Sequence, residues 1–214
     1  MRQPAPRWDP TAPSPLGAEA GLIEPLSPAV PAIRTFVRIA KLALEAAALI
    51  ILVLLFFLRV PQVAGHSMEP QLRAGEHVLI NTLAYGVRFG DGARPLLELP
   101  LHAIVRGDVI AFVHASDDGR AVYVKRVVGL PGDSVVIEHG VVRVDGTRLD
   151  EPYVSLRDAA SAPAMTVPRG AFFVLGDNRG ESDDSRAFGA VPASAVIGRA
   201  TFVVWPLNRA GPIR

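Results

Sequence analysis

Hydrophobic positions follow two different patterns along this chain of 214 residues. Residues 42–58, with the sequence LALEAAALIILVLLFFL, form an apolar run in which Glu45 is the only charge. At about 1.5 Å per residue, a helix of this run is roughly 26 Å long, close to the ~30 Å hydrocarbon core of a membrane. The pattern therefore predicts a single transmembrane helix over residues 36–60.

Two other interpretations of this run remain. A buried helix of a soluble domain would show one polar face, which residues 46–58 lack. A cleaved signal peptide would have a short segment before its apolar run, whereas the run begins here at Leu42. Glu45 lies four residues after Lys41, so the two side chains can pair along a helix.

The segment before the helix is rich in proline. Residues 1–31 contain eight of the 19 prolines, among Ala, Ser and Gly, which predicts a disordered tail over residues 1–35. Three basic residues precede the apolar run and one follows it closely: Arg34, Arg38, Lys41 and Arg59. The positive-inside rule therefore predicts a cytoplasmic tail, with residues 61–214 on the other side of the membrane.

Beyond residue 60 the pattern changes to short β-type runs separated by turn residues. These runs cover residues 77–81, 108–113, 123–130, 134–138, 141–146, 171–176 and 197–205. His139-Gly140, between two alternating runs, is a hairpin signal. No helical period of useful length accompanies the runs. The fold class that follows is mainly β, with an antiparallel β-sheet domain over residues 61–214 preceded by one transmembrane α-helix.

The amino-acid composition limits the catalytic groups and the binding partners that the chain can have. The chain has no cysteine, which excludes disulfides, Cys-ligated metals and thiol catalysis. The five histidines lack the spacing of metal ligands, so we expect no metal and no cofactor. The 22 basic and 21 acidic residues leave no broad basic surface, so nucleic acid is not an expected partner. Serine, threonine, lysine, histidine and the carboxylates remain as catalytic material.

Two segments offer a nucleophile and a base. Residues 65–70, GHSMEP, favour a tight backbone with an exposed Ser67 hydroxyl, although an ordinary loop serine fits equally well. His66 is expected to be a solvent-facing loop residue. In YVKRVVGLPGD, Lys125 and Arg126 are adjacent cations inside an apolar strand. Either both are edge charges that oppose aggregation, or Lys125 is desolvated and serves as a general base.

A third segment, GDNRGESDDSRAFG at residues 176–189, combines carboxylates, guanidinium groups and serines. A solvated turn and a loop braced by ion pairs are both compatible with this composition.

Taken in order, these segments resemble the bacterial type I signal peptidases, the serine–lysine leader peptidases. SMEP at residues 67–70 is similar to the serine box of that family, and RGDVIAF at 106–112 is similar to its second box. KRVVGLPGD at residues 125–133 resembles the lysine box, and residues 176–189 resemble the last box. The resemblance extends over residues 35–205.

The resemblance implies a membrane-bound serine endopeptidase that removes N-terminal signal peptides from exported preproteins and cleaves after small residues, at Ala-x-Ala sites. Ser67 would be the nucleophile and Lys125 the general base. Ser182 would orient the Lys125 amine, and Asp184 would pair with Arg186 to brace the loop. The expected partners are preproteins and the lipid bilayer, and the expected state is a monomer.

The surroundings of the nucleophile also follow from the resemblance. Its backbone N–H would be one oxyanion donor. Gly65 lies where many members have a serine that gives a second donor, so we expect Gly65→Ser to be tolerated or to raise activity. Met68, Leu72, Tyr123 and Val124 flank the two catalytic residues and are expected to line the substrate pockets.

Two rival functions remain. One is an inactive relative that assembles surface structures, but such relatives lack the serine or the lysine, and both are present here. The other keeps the chemistry with a different substrate, as in a peptidase of a conjugation system or a soluble self-cleaving repressor. The membrane segment and the lack of a DNA-binding helical region disfavour the repressor.

Overall fold

The computed structural model describes residues 29–91, 94–116, 119–154 and 158–214. Its helices and strands, in chain order, are α1 Ala29–Phe57, β1 Leu58–Arg59, β2 His77–Asn81, β3 Gly86–Asp91, β4 Arg94–Pro100, β5 Val109–Ser116, β6 Gly119–Gly129, β7 Ser134–Glu138, β8 Val141–Val144, β9 Thr147–Arg148, β10 Ala162–Thr166, β11 Ala171–Leu175, α2 Ser185–Phe188, β12 Val191–Pro192, β13 Val196–Trp205 and β14 Gly211–Pro212. Most of the tail predicted to be disordered, residues 1–28, lies outside the described residues.

Helix α1 contains the apolar run, and it begins at Ala29, earlier than the predicted residue 36. Lys41 Nζ lies 3.8 Å from Glu45 Oε1, so these two side chains pair one helical turn apart. Within the described part of the chain, no helix is both long enough and apolar enough to cross a membrane. The transmembrane helix predicted over residues 36–60 is therefore not supported by the described residues.

The chain divides into one compact unit up to Ile50 and a second from Ile51 onward. In the second unit, the larger sheet has the strand order β1-β2-β13-β5-β6-β11-β12, and β14 pairs with β13. A smaller sheet has the order β10-β7-β8-β9, and β3 pairs with β4 in a separate hairpin. The strand pairs are antiparallel. The predicted mainly antiparallel β fold is therefore confirmed.

The predicted strands agree with the structure where hydrophobic and polar residues alternate. The bounds of β2 and β7 match residues 77–81 and 134–138, and β5, β6 and β13 overlap their predicted runs closely. The hairpin of β3 and β4 was not predicted, because Gly and Pro interrupt the alternation in its sequence.

Three apolar clusters form the core around the sheets. One lies between the smaller sheet and the strands β6 and β11, and it includes Val135, Val142 and Phe173. A second joins Met68 and Leu72 to residues of β2 and β13. The third packs residues of β5, β6 and β11 together. Strands β6 and β11 therefore contact more than one cluster, and this fixes the strand that carries Lys125.

Candidate active site

Ser67 opens a tight turn that follows an extended segment. The Leu72 amide donates to the Met68 carbonyl over 2.8 Å, which closes one helical turn, and both side chains are fully buried. Gly65 precedes the turn with a φ of +86°, a backbone conformation that L side chains rarely adopt. A serine at this position would find open space but a strained backbone. The structure therefore argues against the expectation that Gly65→Ser is tolerated.

Strand β6 buries two adjacent cations. Lys125 is 4% exposed and Arg126 is 1% exposed, although neighbours on a strand point to opposite faces. Both faces of β6 are covered at this point, since Lys125 contacts Ser67 in the nucleophile turn and Arg126 pairs with Asp177 in the loop after β11. The interpretation of both residues as exposed edge charges is therefore wrong.

The amine of Lys125 lies against the hydroxyl of Ser67. Lys125 Nζ and Ser67 Oγ are 2.5 Å apart, although the residues are 58 positions apart in the chain. Burial lowers the pKa of Lys125, because the charged form loses its hydration. The carboxylates of Asp184 and Asp183 oppose this shift, and the guanidinium of Arg186 adds to it. The net effect is a lowered pKa for an amine that lies beside a hydroxyl.

The loop after β11 is joined to β6 by a buried ion pair. Arg126 Nε donates to Asp177 Oδ1 over 2.8 Å, and Arg126 Nη2 donates to Asp177 Oδ2 over 2.7 Å. Burial raises the pKa of Asp177, and the two hydrogen bonds from Arg126 oppose this shift. Arg126 Cζ also lies 4.0 Å from the centre of the Tyr153 ring. The guanidinium is thus held on two sides, and it fixes the start of the loop.

The end of the same loop is braced by a second pair. Arg186 Nε donates to Asp184 Oδ1 over 2.8 Å, and Arg186 Nη2 donates to Asp184 Oδ2 over 2.9 Å. Asp184 also caps α2 and accepts the Gly176 amide over 3.1 Å. Arg186 Nη1 donates to Asp158 Oδ2 over 2.7 Å. The expected Asp184–Arg186 pair is present, and it closes the loop back onto the end of β11.

Ser182 lies beside the nucleophile turn without the expected contact. Its Oγ atom is buried and makes no hydrogen bond in the described part of the chain, so no bond to Lys125 is present. A Cβ atom built on Gly176 would overlap both Ser182 Oγ and the Ser67 carbonyl. Only glycine therefore allows the loop backbone to approach the nucleophile turn this closely.

Asn178 connects the loop to the nucleophile turn, a contact that was not predicted from the sequence. The Asn178 amide donates to the Ser67 carbonyl over 3.0 Å, and Asn178 Nδ2 donates to the His66 carbonyl over 3.2 Å. The His66 side chain is 59% exposed, and its Nδ1 lies 2.9 Å from Glu69 Oε1. The pair with Glu69 raises the pKa of His66. The His66 imidazole therefore pairs with Glu69, although His66 directly precedes Ser67 in the sequence.

The four expected pocket residues fall into two clusters. Met68 and Leu72 belong to the cluster against which Val124 packs, whereas Tyr123 packs against the cluster of β5 and β11. Lys125 Nζ lies 5.5 Å from the centre of the Tyr123 ring. Met68 and Leu72 are fully buried, whereas Tyr123 and Val124 are half-buried.

Two further ion pairs were not predicted. Arg179 Nη2 donates to Glu151 Oε1 over 2.5 Å, and both side chains are buried. Arg209 Nε donates to Glu76 Oε1 over 2.9 Å. No spacing in the sequence indicates either pair, because the partners lie on distant segments. Among the described residues, no group of three or more His, Asp or Glu side chains could hold a metal ion.

The arrangement of Ser67 and Lys125 is one that nucleophilic catalysis can use. A hydroxyl is activated by an adjacent base, and an amine can act as that base when burial disfavours its charged form. Antiparallel sheets that hold a serine hydroxyl against a lysine amine are compatible with the class of serine hydrolases.

Comparisons with known proteins identify the family within that class. The sequence profile of the family described as "Signal peptidase, peptidase S26" matches residues 36–205. A signal peptidase IB from Staphylococcus aureus is 32% identical over 165 residues, which cover 68% of this chain and 77% of that protein. A probable signal peptidase I-1 from Synechocystis sp. is 33% identical over 178 residues, covering 79% of this chain and 83% of that protein.

The crystal structure of a signal peptidase I from Enterococcus faecalis is 33% identical and matches with a TM-score of 0.41. The match covers 47% of this chain and 99% of that chain. From the family profile and the two relatives, the chain belongs to the signal peptidase family, and it is a hydrolase of the signal peptidase type.

Proposed function

We propose that Ser67 and Lys125 carry out the removal of signal peptides from preproteins. Family membership indicates the reaction, and the 2.5 Å separation of Lys125 Nζ and Ser67 Oγ is the observation that supports these two residues. A cysteine-free chain that performs this hydrolysis needs an oxygen nucleophile and a base, and this pair provides both.

In the proposed reaction, the neutral Lys125 amine accepts the Ser67 hydroxyl proton while Oγ attacks the scissile carbonyl. The backbone N–H of Ser67 donates to the oxyanion that forms. The carbon–nitrogen bond then breaks, and Lys125 returns the proton to the leaving amine. Water, deprotonated by Lys125, attacks the ester. The bond between the carbonyl carbon and Ser67 Oγ then breaks, Lys125 returns the proton to Oγ, and the signal peptide leaves with a free carboxylate. The lowered pKa of Lys125 supports this role, because a charged amine cannot accept the first proton.

We also propose that cleavage follows small residues at positions −1 and −3 of the substrate. Met68, Leu72, Tyr123 and Val124 form the floor and walls of the pockets for these side chains. Met68 and Leu72 are packed beneath the surface and Tyr123 and Val124 are half-buried, which supports shallow pockets, since well-packed apolar side chains leave room for alanine but not for larger residues. Replacing either alanine of an Ala-x-Ala preprotein with leucine is expected to abolish cleavage at that site.

Location at a membrane stays a prediction from the sequence. The apolar run at residues 42–58 supports attachment by one helix, with the tail cytoplasmic and residues 61–214 on the opposite side. Extraction of cell membranes with alkaline carbonate tests attachment, and protease added outside intact spheroplasts tests orientation. Release of the full chain by carbonate contradicts the prediction.

The catalytic proposal is tested with the full chain in detergent and a preprotein that carries an Ala-x-Ala site. Ser67→Ala and Lys125→Met are each expected to lower kcat/KM by about 10³-fold or more. The chain contains one other lysine, Lys41, so Lys41→Met is a matched control that should cleave normally. Ser134→Ala serves the same purpose for the serine.

The outcomes separate the alternatives. If wild type leaves the preprotein intact where a control peptidase cuts it, the non-catalytic assembly role replaces the enzymatic one. If Lys125→Met cleaves at the wild-type rate, the base is another group although the family assignment stands. If wild type cuts only a substrate of a specialised export system, the specificity proposal fails and the dyad proposal survives.

A further inference from the structure

The C-terminal part of the chain contacts the nucleophile turn through one guanidinium. Arg209 lies in the short 3₁₀ turn Leu207–Arg209, which follows β13. Its Nη2 atom donates to the Pro70 carbonyl over 3.2 Å and to the Gln71 carbonyl over 3.3 Å. Its Nε atom donates to Glu76 Oε1 over 2.9 Å. One side chain therefore joins three points of the segment that carries the nucleophile.

The carboxylate that receives Arg209 is itself part of the same segment. Glu76 is 3% exposed, and its second oxygen, Oε2, accepts the Arg73 amide over 2.9 Å. The Glu76 backbone also accepts the Val63 amide over 2.7 Å. Val63 lies just before the nucleophile turn and Arg73 just after it, so Glu76 connects the two ends. Arg209 neutralises the buried carboxylate that makes these connections.

The nucleophile turn is thus held at both of its ends. At the Ser67 end, the Asn178 amide donates to the Ser67 carbonyl. At the other end, the carbonyls of Pro70 and Gln71 point out of the single helical turn, where no further turn follows to supply amide donors. Arg209 supplies these donors. A turn that is fixed at one end alone could rotate Ser67 Oγ away from Lys125 Nζ.

We propose that Arg209 is a positioning residue for Ser67, acting through the Pro70 and Gln71 carbonyls and the Glu76 carboxylate. The inference rests on the proposed role of Ser67 as nucleophile. Arginine suits this task because its planar group presents several donors in fixed directions, whereas lysine presents a single charged centre. Lysine at this position can still pair with Glu76, but it cannot serve the carboxylate and both carbonyls in the same geometry.

This difference allows positioning to be separated from stability. Arg209→Lys is expected to keep the unfolding midpoint close to that of wild type. Any shift should be no larger than the shift caused by the control variant Arg199→Gln. Its kcat for preprotein cleavage is expected to fall about tenfold, because small displacements of a reacting atom are costly, with KM within about twofold of wild type. Arg209→Gln is expected to show the same loss of kcat together with a lower midpoint.

Arg199→Gln is the matched control. Arg199 also pairs with a buried carboxylate, with Nε 3.1 Å from Asp108 Oδ1, but it makes no contact with the nucleophile turn in the described residues. This variant should lose stability and keep its kcat at temperatures where it is folded. If Arg209→Lys cleaves at the wild-type rate, or if Arg209→Gln loses no more activity than Arg199→Gln, Arg209 is structural and the proposal is overturned.

Hydrogen exchange provides a readout that does not depend on activity. The Leu72 amide closes the nucleophile turn, so its exchange is expected to accelerate about tenfold or more in Arg209→Lys but not in Arg199→Gln. Unchanged exchange in Arg209→Lys overturns the proposal even if kcat falls. Failure of the proposed function has a different signature, since Ser67→Ala would then cleave like wild type while the exchange result stands.

Discussion

The two sheets of the second unit are stabilised in different ways. The smaller sheet packs on the larger one through a cluster made only of hydrophobic side chains, and β7 alternates between buried and partly exposed positions. The larger sheet, near the dyad, instead buries charged residues: Lys125, Arg126, Asp177, Arg179 and Asp184. The first region follows the usual rule for a β core, and the second departs from it near the dyad.

The departure coincides with the chemistry. Apolar burial stabilises a fold without directional demands, whereas each buried charge requires a partner in a fixed geometry. The partners of Arg126 and Arg186 lie in the loop that also approaches the Ser67 backbone. Buried pairs are weak stabilisers in themselves. Their value here is that they fix the loop whose Asn178 amide binds the Ser67 carbonyl.

Among the substitutions that test this difference between the two sheets, Asp177→Ala is expected to have the largest effect. Removing the carboxylate leaves Arg126 buried and charged without its bidentate partner, which costs about 3–5 kcal/mol of the free energy of unfolding. Denaturant unfolding followed by circular dichroism measures this loss. A loss below about 1 kcal/mol would mean that water reaches Arg126, and the contrast between the two regions would then disappear.

A smaller effect is expected from Val142→Ala in the smaller sheet. Val142 is fully buried, and removing two methyl groups there costs about 2 kcal/mol through lost burial and a small cavity. Because Val142 packs in the apolar cluster of the smaller sheet, kcat/KM at temperatures where the variant is folded should equal that of wild type. A fall in kcat/KM that exceeds the unfolded fraction would show that the smaller sheet supports the site directly.

The comparison also explains which features the sequence predicted. The strands of the smaller sheet have a local alternation, so SVVIE at residues 134–138 was sufficient to predict β7. Motifs at residues 67–70 and 176–189 indicated which segments meet, because the family resemblance carries information about contacts. The Asp184–Arg186 pair was predictable for the same reason.

Other features depend on contacts that no local pattern contains. Arg209 and Glu76 are 133 positions apart, and neither lies in a motif that was used. The burial of both Lys125 and Arg126 was not predictable, because alternation assumes that one face of a strand is exposed. The positive φ of Gly65 was also not predictable from the sequence, since glycine adopts many backbone conformations equally well.

The smallest effect is expected from Asp183→Asn, which tests whether the charged region tunes the dyad at a distance. Asp183 is exposed, and its carboxylate raises the pKa of Lys125 against the dominant effect of burial. In the proposed mechanism the neutral amine is the active form, so kcat/KM is expected to rise as pH rises through the pKa of Lys125. Removing the carboxylate lowers this pKa further and shifts the acid limb of the profile to lower pH, by less than about one pH unit.

The matched control is Asp150→Asn, which removes an exposed carboxylate after β9, the last strand of the smaller sheet before its connection to β10. It should leave the acid limb where it is in wild type. Because salt screens exposed charges, the shift caused by Asp183→Asn should also shrink as ionic strength rises from about 0.05 M to about 1 M. An acid limb that moves to higher pH, or that moves equally in both variants, would show that Lys125 is not the group that titrates.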